Sequence, residues 1–215
     1  MSSMTTVIID YESGNLHSAE KAFQRMSRES DAGNVVVTSD PDIVRKANRV
    51  VLPGDGAFPA CRDALFDHRG LFEAIEEQVI ERAYPFMGIC IGMQMLASTG
   101  LEYKKTPGFD WIGGTVEKIS PSDTALKVPH MGWNDLVINA SHPVLNGIKT
   151  GDHAYFVHSY QFRTNDPEHL IAHADYGGPI TALVGRDNMI GTQFHPEKSQ
   201  TTGLALIRNF LTWSP

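Results

Sequence analysis

The feature that most constrains this chain is the alternation, in its first half, of short β-branched runs with helix-like stretches. TVII (6–9) leads through a Gly14-Asn15 turn into a helix expected from Leu16 to Met26. NVVVTS (34–39) is followed by Asp40 as an N-cap and Pro41 as the first-turn residue of a short helix. RVVLPG (49–54) runs into a glycine turn, helices are expected around Cys61 to Phe66 and Leu71 to Arg82, and PFMGIC (85–90) supplies the next strand. Strands separated by helices build a parallel sheet, because each return crossover needs a helix to carry the chain back. The second half is richer in strands: GGTVEKI, DLVIN, AYFVHSYQF, HLIAHADY, PITALVG and MIGTQFHP, closed by a helix from about Leu204 to Trp213. Antiparallel hairpins there are expected to extend the same sheet. The predicted class is α/β, a central, mostly parallel sheet flanked by helices with added antiparallel strands.

A chain of 215 residues can bury a sizeable core as one domain, so residues 1–215 are read as a single unit. With 41% hydrophobic and 20% charged residues it reads as an ordinary globular protein, without repeats or low-complexity tracts. A formal charge of −7 argues against nucleic acid, whose binding draws on Lys and Arg displacing counterions. The start, MSSMTTVIIDY, has neither a positive leader nor an apolar span, so a cytoplasmic protein without membrane attachment is expected. Two cysteines, Cys61 and Cys90, are too few for a disulfide framework, and no paired spacing suggests zinc.

Function is concentrated in three loops. In GICIG (88–92) a strand ends on Cys90 and reverses at once toward a helix, a turn that leaves no room two residues either side and so calls for Gly88 and Gly92. The first amides of that helix would face the sulfur and favour its charged, nucleophilic form. Taken alone, GICIG fits equally well a small buried cysteine that only fills space. Cys61, within an expected helix, reads as structural. TQFHPEKSQ (192–200) supplies a base and its orienter: in an extended segment His195 and Glu197 face the same side, and Pro196 keeps His195 out of helical geometry. LPGDGAF (52–58) can converge backbone N–H groups on an oxyanion, with the amide of Ile91 as second donor, although a plain strand-to-helix turn reads the same.

With a P-G-x-G loop, G-x-C-x-G and a terminal H-P-E together, the chain resembles the class I (triad-type) glutamine amidotransferases, of single-domain, flavodoxin-like fold. DYESGNLHS, KVPHMGWN, YFVHSY and FHPEKSQ make it similar to one branch, the glutaminase subunits of imidazole glycerol phosphate synthase. The resemblance implies that Cys90 attacks the side-chain amide of glutamine, that His195 shuttles the proton and that Glu197 orients His195. It implies an oxyanion loop at Gly54, Asp55 and Gly56, and a glutamine pocket that includes Gln94, Glu102, His158, Ser159 and Tyr160. It further implies no cofactor and no metal, and a separate (β/α)8-barrel cyclase subunit that takes the ammonia to make imidazole glycerol phosphate and AICAR in histidine biosynthesis. Asn15, Trp133, Asn134, Tyr155 and Lys198 would lie at that interface or on its signal path. Two positions depart from the family pattern: Glu12 stands where glycine is usual, and Asp55 where a small apolar residue is usual. The glutaminase subunit of pyridoxal phosphate synthase, a stand-alone cysteine hydrolase and a non-catalytic binding module are the competing readings.

Overall fold

The computed structural model describes residues 4–12 and 16–215. The expected Gly14-Asn15 turn, and Asn15 as an interface candidate, lie outside the described residues.

The central sheet is built from β1 (Thr5–Ile9), β2 (Asn34–Thr38), β3 (Arg49–Gly54) and β4 (Phe86–Cys90), joined in sequence by helices. α1 (Leu16–Ser30) returns the chain from β1 to β2, and α2 (Pro41–Val44) from β2 to β3. α3 (Phe58–Asp67) and α4 (Leu71–Glu76) return it from β3 to β4, with α4 running on into a wider π turn over Glu77–Glu81. Asp40 caps α2 as its position predicts, accepting a hydrogen bond from the Asp42 amide. α1 buries Ala19, Ala22, Phe23, Met26 and Ser27, the three-and-four spacing of one helix face. α1 runs four residues beyond the Met26 expected from the sequence, and its Ser27 hydroxyl ties that end to the Gly33 carbonyl.

After β4 comes α5 (Ile91–Gln94), a single turn. The second half then adds β5 (Thr99–Gly100), β6 (Thr106–Pro107), β7 (Gly114–Lys118), β8 (His130–Asp135) and β9 (Val137–Ile138). It continues with β10 (His153–His158), β11 (Tyr160–Thr164), β12 (Leu170–Asp175), β13 (Pro179–Arg186) and β14 (Met189–Thr192), and closes with α6 (Gln200–Thr212). The eight-stranded sheet has the order β2-β1-β3-β4-β14-β13-β12-β9. β2 through β14 pair in parallel and the last three strands antiparallel. α1 and α6 pack on each other, Phe23 meeting Phe210 edge to face at 6.3 Å, while α2, α3 and α4 pack together as a second group. β3 is buried along its whole length, as a strand covered on both faces must be.

One expectation is corrected. The second-half strands do not all extend the central sheet: β8 and β10 form a separate two-stranded ribbon, and β11, β7, β5 and β6 a four-stranded sheet. AYFVHSYQF, read as one strand, is broken at Ser159, where the chain passes from ribbon to small sheet and the Ser159 carbonyl accepts from the Ile119 amide. The local sequence does not mark such a break, because a strand's own residues do not say which sheet it joins.

Candidate active site

The carboxyl ends of β3 and β4 lie side by side, with Gly54 in register with Cys90. Crevices at such strand ends are where open α/β sheets hold their chemistry. Cys90 has φ 55° and ψ −109°, a backbone conformation foreign to an L-residue in regular structure. The two flanking glycines explain how the turn closes. A Cβ on Gly88 would stand 2.5 Å from the Gly92 carbonyl oxygen, and one on Gly92 would stand 1.8 Å from that of Leu52. The bend therefore depends on glycine at both positions and brings Cys90, itself buried, to the wall of a cavity.

The helix after Cys90 is shorter than its sequence suggests. One turn carries only a slight macrodipole, so the expected electrostatic help from the helix has little to rest on. The charge beside the sulfur comes from His195 instead. His195 Nδ1 lies 2.8 Å from Glu197 Oε1, with the two side chains 7% and 6% exposed. Burial works against a charged imidazole, but hydrogen bonds to Cys90 and Glu197, and the negative charge on both, outweigh it and raise His195 to about 10. The ring thus holds its proton across the neutral range.

The geometry that joins His195 to Glu197 differs from the extended segment predicted. His195 itself is extended at φ −93° and ψ 101°, as a residue before proline should be, but Pro196–Lys198 form a turn of 3-10 helix. The turn is clamped from behind: Ser199 Oγ donates to the His195 carbonyl at 2.7 Å and accepts from the Tyr155 amide at 2.9 Å. The His195 amide in turn donates to the Tyr155 carbonyl at 3.0 Å.

Asp55, Gly56, Cys90, Ile91, Gln94, Glu102, His158, Ser159 and Tyr160 line one cavity of about 250 Å³. Gly54 does not line it. It sits behind the loop against Ile91 and the Tyr11 hydroxyl, and on the other side shares a small cleft with His195, Glu197 and Lys198. Glu102 is partly engaged: its Oε2 accepts from the Phe58 amide at 2.7 Å, supplying the cap that α3 otherwise lacks. His158 has both ring nitrogens hydrogen-bonded to the protein, so it contributes wall rather than a free donor. Cys61 is buried, and its thiol donates to the Asp55 carbonyl at 3.4 Å beneath the loop.

One residue was missed from the sequence. Gln193, fully buried, donates from Nε2 to the Cys90 sulfur at 3.6 Å, and its Oε1 accepts from Gln94 Nε2 at 3.0 Å. Its only sequence signal is its place two residues before His195, on the strand-end segment that faces the same way. Gln94 Nε2 also donates to the Tyr160 carbonyl at 3.2 Å, which leaves Gln94 Oε1 buried with no protein donor. Such an acceptor beside a nucleophile suits an N–H-bearing ligand.

Of the interface candidates, Trp133 and Tyr155 meet edge to face at 5.9 Å, and Trp133 is 47% exposed. Lys198 is exposed beside the His195 turn. Asn134 differs: its amide is turned inward, to His130 and to the Asp175 carbonyl. Among the described residues no helix is long and apolar enough to cross a membrane, and no cluster of His, Cys, Asp and Glu could hold a metal ion.

A cysteine at a strained turn, an imidazolium held by a buried carboxylate and a cavity that ends at the sulfur can carry out acyl transfer from an amide. Comparison with known proteins is consistent with that chemistry. The family described as glutamine amidotransferase class-I matches residues 7–213. The chain is 65% identical over 212 residues to the imidazole glycerol phosphate synthase subunit HisH of Ruegeria pomeroyi, covering 99% of this chain and 100% of the relative. It is 67% identical, with the same coverage, to the protein of the same name from Cereibacter sphaeroides. Among solved structures, one described as a glutamine amidotransferase aligns with a TM-score of 0.71 at 19% identity, over 95% of this chain and 96% of that one. That last likeness concerns the fold.

Proposed function

The chain belongs to the class I glutamine amidotransferase family, and from that premise we propose that it works as the glutaminase subunit of an imidazole glycerol phosphate synthase. It is a glutamine amidotransferase, hydrolysing glutamine and passing on the ammonia for histidine biosynthesis. The observation that carries the mechanism is the buried His195 imidazole, held through Nδ1 by Glu197 Oε1 at 2.8 Å and hydrogen-bonded on to Cys90.

In this reading the proton shared by Cys90 and His195 sits on the imidazole, and the sulfur attacks the glutamine side-chain carbonyl carbon. The negative oxygen that forms is met by the Ile91 amide and by the amide of Asp55 in the Gly54–Gly56 loop. Collapse of the tetrahedral species breaks the C–N bond, and His195 gives its proton to the leaving ammonia. A glutamyl thioester remains on Cys90. His195, now neutral, takes a proton from water, the hydroxide adds to the thioester, and glutamate leaves as the sulfur regains its starting state. Glu197 keeps the imidazole in one orientation throughout. Gln94 and Glu102 line the wall against which the bound amino acid lies.

The chain works as one subunit of a complex. Its partner in this reading is a (β/α)8-barrel cyclase in the cytoplasm, docked on the face that carries Trp133, Tyr155 and Lys198. Glutamate release measured with and without a cyclase subunit tests the proposal. Release should rise when the partner is added and vanish in Cys90→Ala, whereas release independent of Cys90 would overturn the reading.

A further inference from the structure

Two buried histidines outside the catalytic turn have every ring nitrogen engaged. His158 Nδ1 lies 2.8 Å from the Tyr160 carbonyl, which can only accept, so Nδ1 carries the proton and Nε2 is left as an acceptor. His130 Nδ1 stands 3.0 Å from that Nε2 and therefore donates to it. His130 Nε2 in turn accepts from Asn134 Nδ2 at 3.2 Å. The orientation of the Asn134 amide is fixed from both ends, since Nδ2 also donates to the Asp175 carbonyl at 2.9 Å and Oδ1 accepts from the Asp135 amide at 2.8 Å. Each ring thus has one donor and one acceptor role, which only a neutral imidazole can fill. Burial favours that form in both, lowering His130 to about 4 and His158 to about 3.

The inward end of this row is the site. The Tyr160 carbonyl that His158 holds is the one that receives Gln94 Nε2, and Gln94 leads through Gln193 to the Cys90 sulfur. The outward end is β8, where exposed Met131 and Trp133, at 59% and 47%, alternate with buried His130 and half-buried Asn134. Two runs of hydrogen bonds, one from the exposed ribbon and one that ends on Cys90, therefore meet at the Tyr160 carbonyl, which accepts from both.

We propose that His130 is a positioning residue for glutamine hydrolysis: held by Asn134, it fixes His158 and so the Tyr160 carbonyl on which the Gln94 amide is aligned. This rests on the glutaminase reading above and adds a residue that touches neither sulfur nor cavity.

The test uses the chain in complex with its cyclase subunit, measuring KM and kcat for glutamine and, separately, the rate at which iodoacetamide alkylates Cys90. His130→Phe keeps a ring against Phe156 and Tyr176, which now sit 4.8 and 4.2 Å away centroid to centroid, but removes the donor to His158. KM should rise about tenfold, the scale of one lost buried hydrogen bond, with kcat and alkylation changed much less. His130→Asn, which returns an N–H near the Nδ1 position, should recover most of the loss. Asn134→Asp tests the row from its outer end, because a carboxylate can donate neither to His130 Nε2 nor to the Asp175 carbonyl and so removes the contacts that hold the ring in its neutral form; KM should rise here too. Unchanged KM in both His130→Phe and Asn134→Asp, with or without a loss of thermal stability, would overturn the proposal. Should His130→Phe not fold, unchanged KM in Asn134→Asp overturns it alone. A wild-type complex that does not hydrolyse glutamine would instead overturn the reading on which the proposal rests.

Discussion

Glu12 and Cys90 both hold a positive φ, 65° and 55°, and the two have different meanings. At Cys90 the strain sits where the chemistry is proposed, between glycines that leave no alternative path. Glu12 is exposed and holds a left-handed φ that glycine would adopt without strain. Relief of about 1–2 kcal/mol of left-handed strain, less about 0.5–1 for the freedom glycine loses on folding, predicts that Glu12→Gly stabilises by about 0.5–1 kcal/mol. Denaturant unfolding would show it as a higher midpoint at unchanged slope. Glu197→Gln is expected to lower glutamate release by about a hundredfold or more, as loss of an orienting carboxylate does elsewhere. The same change removes one of the charges that hold His195 near 10, so the alkaline limb of the rate profile should move to lower pH. An unmoved limb would mean that Glu197 does not act on His195.

At the scale of elements, the site is three loop ends brought together by two strands and a clamped turn. The β3, β4 and Cys90 geometry was legible because turn glycines and buried β-branched runs punctuate that part of the chain, and RVVLPG matches its strand residue for residue. The meeting of Cys90, His195 and Glu197 was legible because they sit in short motifs whose backbone demands are local. The row from Asn134 to Gln193 was not, since its partners lie up to 99 residues apart and no local pattern pairs a histidine with a histidine. The break at Ser159 was hidden for the opposite reason: alternation is local and says nothing about which sheet a strand joins. Gly92→Ala is the sharpest probe of the elbow. Its Cβ would meet the backbone carbonyl of Leu52 at 1.8 Å, which cannot swing away as a side chain could, and cooperative unfolding should be lost or its free energy reduced by more than about 3 kcal/mol. A variant as stable as the parent would show that α5 and β3 are not held at this distance.

For the whole molecule, the buried titratable groups set a pH window. His130 and His158 stay neutral in the fold to about 4 and about 3, whereas the unfolded chain takes up protons near 6.5. Unfolding therefore gains from acidification, and stability should fall as pH drops from 6.5 toward 4. His195 has the opposite sign. Raised to about 10, its contribution is fully present below 6.5 and is lost as pH rises to 10. Denaturant midpoints across pH 4–10 should thus decline on both sides, with the acid decline persisting in His195→Gln and the stability gap between that variant and the parent shrinking as pH rises. A flat acid limb would mean that the two imidazoles are accessible to protons in the fold. The exposed Trp133 ribbon agrees with turnover in a complex with a protein partner. The measurement that reaches the central claim most directly is acid quenching of the complex during turnover of carbon-labelled glutamine, followed by mass analysis of its peptides. A glutamyl adduct on the peptide that carries Cys90, absent in Cys90→Ala together with glutamate release, is the predicted result. Label on the Cys61 peptide instead, or undiminished release from Cys90→Ala, would contradict it.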